Sequence, residues 1–354
     1  MVKDKRLRKI ISIIAIAMCL LMIFCGCSKK EKDPVPEETE EVAEEAYSLY
    51  GDESLGIDAK ADEELRDYRS ILVAGIDNGN RADIMMVVCI NETSNDIKVF
   101  TVTRDAYMQI ADGDTVTLYD QEFEFHRCNE AYSAGDKYAL MKELNKHLDL
   151  NIREFIGVDW ATTAKFVDAL GGVECDIESQ SMLDAINSLI SGWSDGDQTL
   201  IENTGVQTLS GWQAVHYLRV RKYDGGNPQI REKRNREMLE DMFNKAKGMS
   251  MEEISEVYDE IAGDLDTNMS RNTLTDTLAL IATSNINDAG GWPYEFKVKY
   301  EPGRQFVYRV PDSLYSNVIQ LHAKVFDQPG YLPSITVQEL SDILDDRAEN
   351  YLEN

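Results

Sequence analysis

Two groups of charged residues in this sequence have the residue types and spacing that chemistry on phosphate groups requires. The larger group lies in LRVRKYDGGNPQIREKRNREM, residues 218–238, and contains seven cations: Arg219, Arg221, Lys222, Arg231, Lys233, Arg234 and Arg236. The chain around it is acidic, with 36 Lys and Arg residues, 64 Asp and Glu residues and a formal net charge of −28. A basic cluster in so acidic a chain indicates an anion-binding site, and the alternative interpretation is a solvated basic face.

The spacing of these cations predicts which of them converge. Arg219 and Arg221 are two residues apart, so on a strand they would share one face. After the turn signal YDGGNP, Arg231, Arg234 and Asn235 have the i, i+3, i+4 spacing of one helix face. The free N–H groups at the start of that helix would also favour an anion. Two strand arginines and two helix arginines would therefore form a receptor for a phosphate-type anion.

The other residues of this segment should divide between the core and the solvent. The helix face that carries the arginines continues into Met238 and Met242, which we expect to reach the core. Lys222, Lys233 and Arg236 do not belong to that face, so they should point into solvent.

The second group of charged residues flanks a short polar loop. In AGIDNGNRADIMM, Asp77 follows an apolar run, and Arg81 and Asp83 precede the next one. Two carboxylates beside a tight loop could bind Mg²⁺, which takes few protein oxygens and completes its shell with substrate phosphates and water. In VFTVTRDAY, Arg104 and Asp105 come at the end of a third strand. Turn chemistry and a simple ion pair are the respective alternatives.

The apolar pattern predicts the elements that position these residues. SILVAGI, which begins at Ser70, and DIMMVVCIN are apolar runs, and DIKVFTVT should form a hairpin with the second of them. The continuous apolar run of DIMMVVCIN favours burial on both faces. Further helices are predicted at 137–147, 161–170, 251–261, 273–283 and 312–326, and strands at 155–158, 173–177, 294–300 and 305–310. This alternation predicts an α/β fold, an α-β-α sandwich whose mixed central sheet is covered by helices on both faces.

Composition divides the chain into four segments. Residues 1–27 begin with the basic MVKDKRLRK and continue with an uncharged apolar run, which indicates a membrane anchor with a cytoplasmic basic tip. The anchor is either a retained helix or a lipoprotein signal in which Cys27 becomes acylated. Residues 28–69 have the composition of an acidic linker, 70–330 of one extracellular domain and 331–354 of a peripheral acidic tail. The predicted location is the outer face of the cell membrane.

Several other kinds of site are excluded or disfavoured. The excess of acid argues against nucleic-acid binding. The cysteines have no C-x-x-C spacing outside the anchor and the histidines are scattered, which speaks against structural zinc. No G-x-x-x-x-G-K-[ST] motif is present, so a P-loop enzyme is excluded. GWSDG matches the esterase motif G-x-S-x-G, with Ser194 as nucleophile and His216 or His322 as base, but a helical pattern precedes it where a strand is required.

Six blocks of the sequence together resemble the LytR-CpsA-Psr family. In order they are ILVAGIDNGNRADIMMVVCIN, TVTRDAY, NEAYSAG, VDWATTAKFVDALGGVECDI, LSGWQAVHYLRVR and IREKRNREML, and the resemblance spans about residues 71–243. Two positions depart from the family pattern, which usually has Pro before Arg104 and Gln in place of Asn235.

The resemblance implies a membrane-anchored phosphotransferase of the Gram-positive envelope. Such enzymes move a glycopolymer of the teichoic-acid or capsule type from a polyprenyl-pyrophosphate carrier to peptidoglycan and release polyprenyl phosphate. The resemblance carries Mg²⁺ binding to Asp77 and Asp83. It carries pyrophosphate binding to Arg81, Arg104, Arg219, Arg221, Arg231, Arg234 and Asn235. The expected catalytic residues are Asp83, which is a candidate base, Arg104, Arg219 and Arg221.

Two other functions stay open at this point. A polyprenyl-pyrophosphate hydrolase would use the same residues and release the polymer without transferring it. A non-catalytic receptor for an anionic lipid or polymer would need the arginines but not the metal-binding carboxylates, Asp77 and Asp83.

Overall fold

The computed structural model describes residues 54–77, 80–111, 114–194, 196–223, 238, 241–242, 245, 251–283, 285–303 and 306–353. The predicted anchor, Cys27 and most of the acidic linker lie outside these residues, as do Arg231, Lys233, Arg234, Asn235 and Arg236. Within the described residues, no helix combines the length and the apolar composition that a membrane span requires.

The described chain contains both helices and strands, and seven strands follow one another between the first two helices. In order they are α1 (Ala59–Glu64), β1 (Tyr68–Ile76), β2 (Ala82–Asn91), β3 (Asp96–Val102), β4 (Tyr107–Gln109), β5 (Val116–Leu118), β6 (Gln121–Phe123), β7 (Phe125–Arg127), α2 (Glu130–Leu148), β8 (Ile152–Val158), α3 (Trp160–Ala169), β9 (Val173–Ile177), α4 (Gln180–Ser191), β10 (Gly205–Leu209), α5 (Gly211–Arg219), α6 (Met251–Ile261), β11 (Asp266–Thr267), α7 (Arg271–Thr283), β12 (Asn285–Trp292), β13 (Phe296–Tyr300), β14 (Val307–Pro311), α8 (Leu314–Val325) and α9 (Ile335–Asn350).

The central sheet joins six of these strands in the order β11-β8-β1-β2-β3-β12. Strands β2 and β3 form the predicted hairpin, with Met85 opposite Val102. Strand β1 is antiparallel to β2, whereas β12 runs parallel to β3, so the sheet is mixed. All of β2 except Asn91 is buried. Because successive side chains of a strand point to opposite faces, this burial confirms that both faces are covered. The predicted mixed α/β architecture is confirmed.

The described chain forms two compact units. The helical unit comprises Val158–Asp266 and Leu274–Thr283. The sheet unit comprises the described chain up to Gly157, together with Thr267–Thr273 and Ser284–Asn354. The segment with Asp77, Arg81 and Asp83 therefore belongs to the sheet unit, and Arg219 and Arg221 belong to the helical unit.

The helical unit is built on packed helices and one two-stranded sheet. Trp160 and Ala164 of α3 pack against Val215 of α5, and Trp212 covers this cluster. Strands β9 and β10 pair antiparallel beside these helices. The predicted helix before Gly171 and the predicted strand VECDI are thus both confirmed, as α3 and β9.

The acidic C-terminal stretch belongs to the core of the sheet unit. Helix α9 buries Val337, Leu340 and Leu344 in the same apolar cluster that lines the central sheet. The buried Asp149 fixes the start of this helix, because its Oδ2 accepts a hydrogen bond from the Ser334 backbone N–H at 2.7 Å. The prediction of a peripheral tail is therefore wrong. The many acidic side chains of the stretch masked an apolar face with helical spacing.

Truncation of one buried side chain tests the packing of α9. Leu344 is 2% exposed and its neighbour Ile343 is 43% exposed, so the two positions form a matched pair. We expect Leu344→Ala to lower the free energy of unfolding by about 2–5 kcal/mol, because it leaves a cavity. Ile343→Ala should change it by less than about 0.5 kcal/mol. Urea unfolding followed by circular dichroism measures both, and equal effects would contradict the packing of this helix.

Candidate functional site

The loop after β1 closes around one carboxylate. Asp77 follows β1, and its Oδ1 accepts a hydrogen bond from the Arg81 backbone N–H at 2.9 Å. Its Oδ2 accepts from Arg81 Nη2 at 2.5 Å and from Nε at 3.2 Å. The Asp77 backbone N–H in turn donates to the Arg81 carbonyl at 2.9 Å. Backbone and side chain of the same arginine therefore hold this buried carboxylate in place.

Burial and the Asp77–Arg81 contact shift the pKa values of these two groups in opposite directions. Burial raises the pKa of the Asp77 carboxyl above its ordinary value, although the hydrogen bonds and charge of Arg81 lower it. Burial lowers the pKa of the Arg81 guanidinium, but the hydrogen bond and charge of Asp77 outweigh it, so that the pKa rises overall. The short contacts favour the ionised form of both partners, since each stabilises the other's charge.

A β-bulge aims the second carboxylate. Gly75 of β1 lies opposite Ile84 of β2, but the next β1 residue, Ile76, lies opposite Ala82. Asp83 is therefore the extra residue of β2 at this point. A bulge turns a side chain away from the direction that strand alternation would give it, and bulges are frequent beside active sites. The sequence predicted a strand here but not its irregularity.

Asp83 is buried and has partners from two further elements. Its Oδ2 accepts from Arg104 Nη1 at 2.7 Å, and its Oδ1 accepts from Asn129 Nδ2 at 2.8 Å. Arg104 follows β3, and Asn129 directly precedes α2. The Arg104 side chain is 35% exposed and also lies 3.6 Å from Asp105, so it can reach a ligand from its present position. The structure thus brings Asp77, Arg81, Asp83 and Arg104 together.

The donor set around the two carboxylates fits a hard divalent cation. Asp77 and Asp83 are close enough that the charge of Asp83 raises the pKa of Asp77. The Oδ1 atom of Asn129, whose Nδ2 donates to Asp83, is buried and accepts no hydrogen bond from the described chain. Two carboxylates and an amide oxygen are the ligands that Mg²⁺ takes in proteins, with non-protein oxygens completing the shell. No group of three acidic, His or Cys side chains with metal-binding geometry occurs within the described residues.

Tyr119, Arg127 and Glu130 adjoin this site, although the sequence did not single them out. The Tyr119 hydroxyl donates to Glu130 Oε1 at 2.6 Å and accepts from Arg127 Nη2 at 2.9 Å. It also accepts from Arg81 Nη1 at 3.4 Å. Arg127 and Glu130 form an ion pair at 2.5 Å. Glu130 lies in the NEAYSAG block, which begins at Asn129, but Tyr119 and Arg127 lie outside the six blocks.

The predicted strand at LRVR is wrong. Arg219 is the last residue of helix α5, Val220 is its extended C-cap and Arg221 follows in irregular chain. The reason lies at the other end of the helix, where Ser210 and Gln213 form a capping box. The helix that starts there runs through the apolar residues as far as Arg219. The two arginines therefore do not share a strand face: Arg219 is buried and Arg221 is exposed.

Aromatic rings enclose Arg219 in the helical unit. Its guanidinium carbon lies 3.9 Å from the ring centre of Trp193 and 5.7 Å from that of Trp160. Its Nη1 atom lies 3.5 Å from Nδ1 of His216, one helical turn earlier. Such cation–π contacts attract the guanidinium to the faces of the aromatic rings. The spacing of the motif pointed to Arg219 as an anion ligand, but it gave no indication of the tryptophans.

The esterase interpretation does not fit the described geometry. Ser194 comes three residues after α4, so a helix precedes the G-x-S-x-G motif where a nucleophile elbow requires a strand. His216 packs edge-on against Trp193 at 5.7 Å. His322 belongs to the sheet unit, where its Nε2 lies 3.1 Å from the Leu148 carbonyl oxygen.

The other predicted positions of the basic segment divide as follows. Arg231, Arg234 and Asn235 lie outside the described residues, so their predicted role is unchanged. Met238 and Met242 are buried at 1% and 0% exposure, which confirms that they reach the core. Lys222 is exposed, as predicted.

Comparison with known proteins identifies one family and several similar proteins. A model of the LytR_cpsA_psr family matches residues 30–290. The polyisoprenyl-teichoic acid–peptidoglycan teichoic acid transferase TagU of Bacillus subtilis is 24% identical over 233 residues, which cover 63% of this chain and 69% of that protein. The transferase TagV of the same organism is 24% identical over 289 residues, which cover 78% of this chain and 66% of that protein.

One solved structure supports the shared fold. A crystal structure of a Streptococcus agalactiae protein matches with a TM-score of 0.53 at 18% identity, and the match covers 79% of this chain and 93% of that chain. The similarity at this level of identity concerns the fold alone.

The buried His216 should make stability depend on pH. Burial, followed by the charge of Arg219, lowers the pKa of His216 to about 4, against about 6.5 for the unfolded chain. Between those two pH values the unfolded chain binds a proton that the folded chain does not, so stability falls as the pH falls. We expect His216→Gln to lose this part of the pH dependence. Urea unfolding between about pH 7 and pH 4 measures it. Parallel curves for parent and variant would contradict the prediction.

Proposed function

The chain belongs to the LytR_cpsA_psr family, and we propose that it transfers a polyprenyl-pyrophosphate-linked glycopolymer, of the teichoic-acid or capsule type, to peptidoglycan with release of polyprenyl phosphate. The observation that carries this proposal is the pair of neighbouring buried carboxylates, Asp77 and Asp83. Arg81 forms an ion pair with Asp77, and Arg104 forms one with Asp83. The relatives TagU and TagV are named as teichoic acid transferases, which supports the same class of reaction.

In the proposed reaction, a peptidoglycan hydroxyl attacks the phosphorus that bears the glycopolymer. A new P–O bond forms a phosphodiester, and the bond from that phosphorus to the bridging oxygen breaks. Polyprenyl phosphate leaves with the bridging oxygen and its electron pair. Negative charge grows on the leaving phosphate, so cations that are fixed beside it lower the barrier.

Arginines would supply these cations. Arg81 and Arg104 supply two cations next to the carboxylates of the sheet unit. Arg219 would supply a guanidinium that lies 3.9 Å from the ring centre of Trp193, and Arg221 would supply an exposed one in the helical unit. Arg231 and Arg234, with the Asn235 amide, would add to this set. Each arginine offers two parallel N–H groups to phosphate oxygens, which suits a pyrophosphate.

The carboxylates have a separate role in the proposal. Asp77, Asp83 and the Oδ1 atom of Asn129 would hold Mg²⁺, which would supply positive charge to the pyrophosphate oxygens. Both oxygens of Asp83 accept hydrogen bonds inside the protein. If Arg104 turns to the pyrophosphate, the Oδ2 atom of Asp83 is released and can take the proton of the attacking hydroxyl. That exchange makes Asp83 the candidate base.

The proposed location follows from the substrate and from the N-terminal sequence. A polyprenyl carrier lies in the membrane, and the basic tip and apolar run of residues 1–27 would hold the body at the outer face. The anchor would be a retained helix or an acylated Cys27. Water as the acceptor would turn the same site into a hydrolase, and a receptor would retain the arginines without needing a metal.

Charge-removing substitutions test the metal role. We expect Asp77→Asn and Asp83→Asn each to lower Mg²⁺ affinity and to abolish most transfer, because metal stabilisation of a transferring phosphoryl group contributes several kcal/mol. Asp96→Asn is the matched control, since Asp96 is exposed at the start of β3. The measurement is polymer transfer to peptidoglycan with Mg²⁺ and with chelator. Full transfer in chelator would remove the metal from the mechanism.

Single cations of the helical unit test the pyrophosphate site. Arg219→Ala should weaken binding of a polyprenyl pyrophosphate by about 2–5 kcal/mol, as for loss of one partner of a buried charge pair, and Arg221→Ala, whose side chain is exposed, should weaken it by less. Lys222→Ala should stay within a few-fold of the parent, because Lys222 is an exposed neighbour of the same charge. Calorimetric titration with detergent-solubilised full-length protein measures all three. Equal losses at Lys222 and Arg221 would indicate a non-specific basic surface.

A further inference from the structure

A hairpin beside the candidate site has a strained tip. Strands β5 and β6 pair with Leu118 opposite Gln121, so Tyr119 and Asp120 form a two-residue turn. Both have positive φ, 53° and 61°. Turns with two such residues strongly favour Asn-Gly or Asp-Gly, because a side chain crowds the backbone in the left-handed region. A tyrosine at the first position is therefore unfavourable for the turn itself.

The tyrosine ring does not account for this choice. Tyr119 is 47% exposed, so burial of the ring contributes only part of what a core aromatic residue would. The centre of the Tyr119 ring lies 5.0 Å from the centre of the Phe306 ring. Strained, non-glycine turn residues cluster at functional sites, where another interaction maintains them.

The hydroxyl of Tyr119 provides that interaction, because it uses all of its hydrogen-bonding capacity. It donates to Glu130 Oε1 at 2.6 Å and accepts from Arg127 Nη2 at 2.9 Å and Arg81 Nη1 at 3.4 Å. A phenol has one donor and two acceptor positions, so these three contacts are a complete set. In the Arg127–Glu130 ion pair, Glu130 is buried and Arg127 is half-buried, and both contact the hydroxyl.

Arg81 is thereby held at both ends of its guanidinium. Nη2 and Nε donate to Asp77, and Nη1 donates to Tyr119. Each terminal nitrogen carries two N–H groups, and the contacts within the described chain use one of each. The second N–H of each nitrogen lies in the same fixed plane, which is the arrangement that a phosphate oxygen pair recognises.

We propose that Tyr119 is a positioning residue that acts through Arg81: its hydroxyl fixes the guanidinium plane for pyrophosphate. This inference rests on the proposed function, because it presumes that Arg81 binds the pyrophosphate. The strained turn is retained because Asn or Gly, which would relax it, cannot place a hydroxyl between Arg81 and the Arg127–Glu130 pair.

The experiment removes the hydroxyl alone. Tyr119→Phe keeps the ring and the turn, and we expect it to bind farnesyl pyrophosphate about tenfold more weakly than the parent, the effect of losing one hydrogen bond to a charged group. Tyr119→Asn, which suits the left-handed turn, should lose a similar factor while remaining folded. Asp120→Gly is the matched control: it relaxes the same turn and leaves the hydroxyl in place, so its affinity should equal that of the parent.

A double-mutant cycle separates positioning through Arg81 from a general structural role. In an Arg81→Ala background, Tyr119→Phe should weaken binding by less than about twofold, because its route to the ligand is gone. All measurements use the full-length chain in detergent. An equal loss in both backgrounds, or parent-like binding by Tyr119→Phe, would overturn the inference while the proposed function stands. A parent protein that does not bind farnesyl pyrophosphate would overturn both.

Discussion

The rest of the site depends on keeping two carboxylates charged inside a folded protein. Moving an ionised carboxylate out of water costs several kcal/mol even after the protein relaxes, unless a cation and hydrogen bonds replace the water. Asp77 and Asp83 are each 3% exposed and meet this requirement with arginines from different loops. The loop after β1 must close for one pair, and β3 must lie beside β2 for the other. The order and register of three strands are therefore tied to two ion pairs.

Register is the most exacting part of this requirement. A slip of one residue between β1 and β2 would turn every side chain of a strand to the opposite face. The bulge at Asp83 changes the direction of one side chain without such a slip, so the apolar residues of β2 stay in the core while its carboxylate faces Arg104. The strand thus satisfies packing and chemistry with one irregular residue.

The sequence was informative where one local pattern determined the structure. The apolar run of β2 predicted burial on both faces, and the flanks of that strand predicted the carboxylate and arginine positions. The two-residue spacing of the arginines in LRVR predicts a strand, but the same spacing also fits the end of a helix. The capping box at Ser210 and Gln213 is the signal that distinguishes the helix from the strand. In α9 the acidic composition concealed Val337, Leu340 and Leu344.

Contacts that join distant parts of the chain could not be predicted in this way. Asn129 reaches Asp83 across 46 residues, and Tyr119 reaches Arg81 across 38. Nothing in a local pattern records such a separation. The bulge is similar, because the extra residue exists only relative to the partner strand.

On the proposed function, the same ion pairs would couple the binding of metal and anion. In the described arrangement, Arg81 and Arg104 serve as counterions to Asp77 and Asp83, so an incoming pyrophosphate would compete with the protein's own carboxylates for the guanidinium groups. A divalent cation at the carboxylates would take over part of that role and release N–H groups of both arginines to the pyrophosphate. The pyrophosphate, held by those arginines, would in turn offer oxygens to the cation. On the proposed function, each ligand therefore raises the affinity for the other by the same factor, as thermodynamic linkage requires. On the proposed function, Arg81 and Arg104 would balance the buried carboxylates before the substrate arrives and the pyrophosphate afterwards.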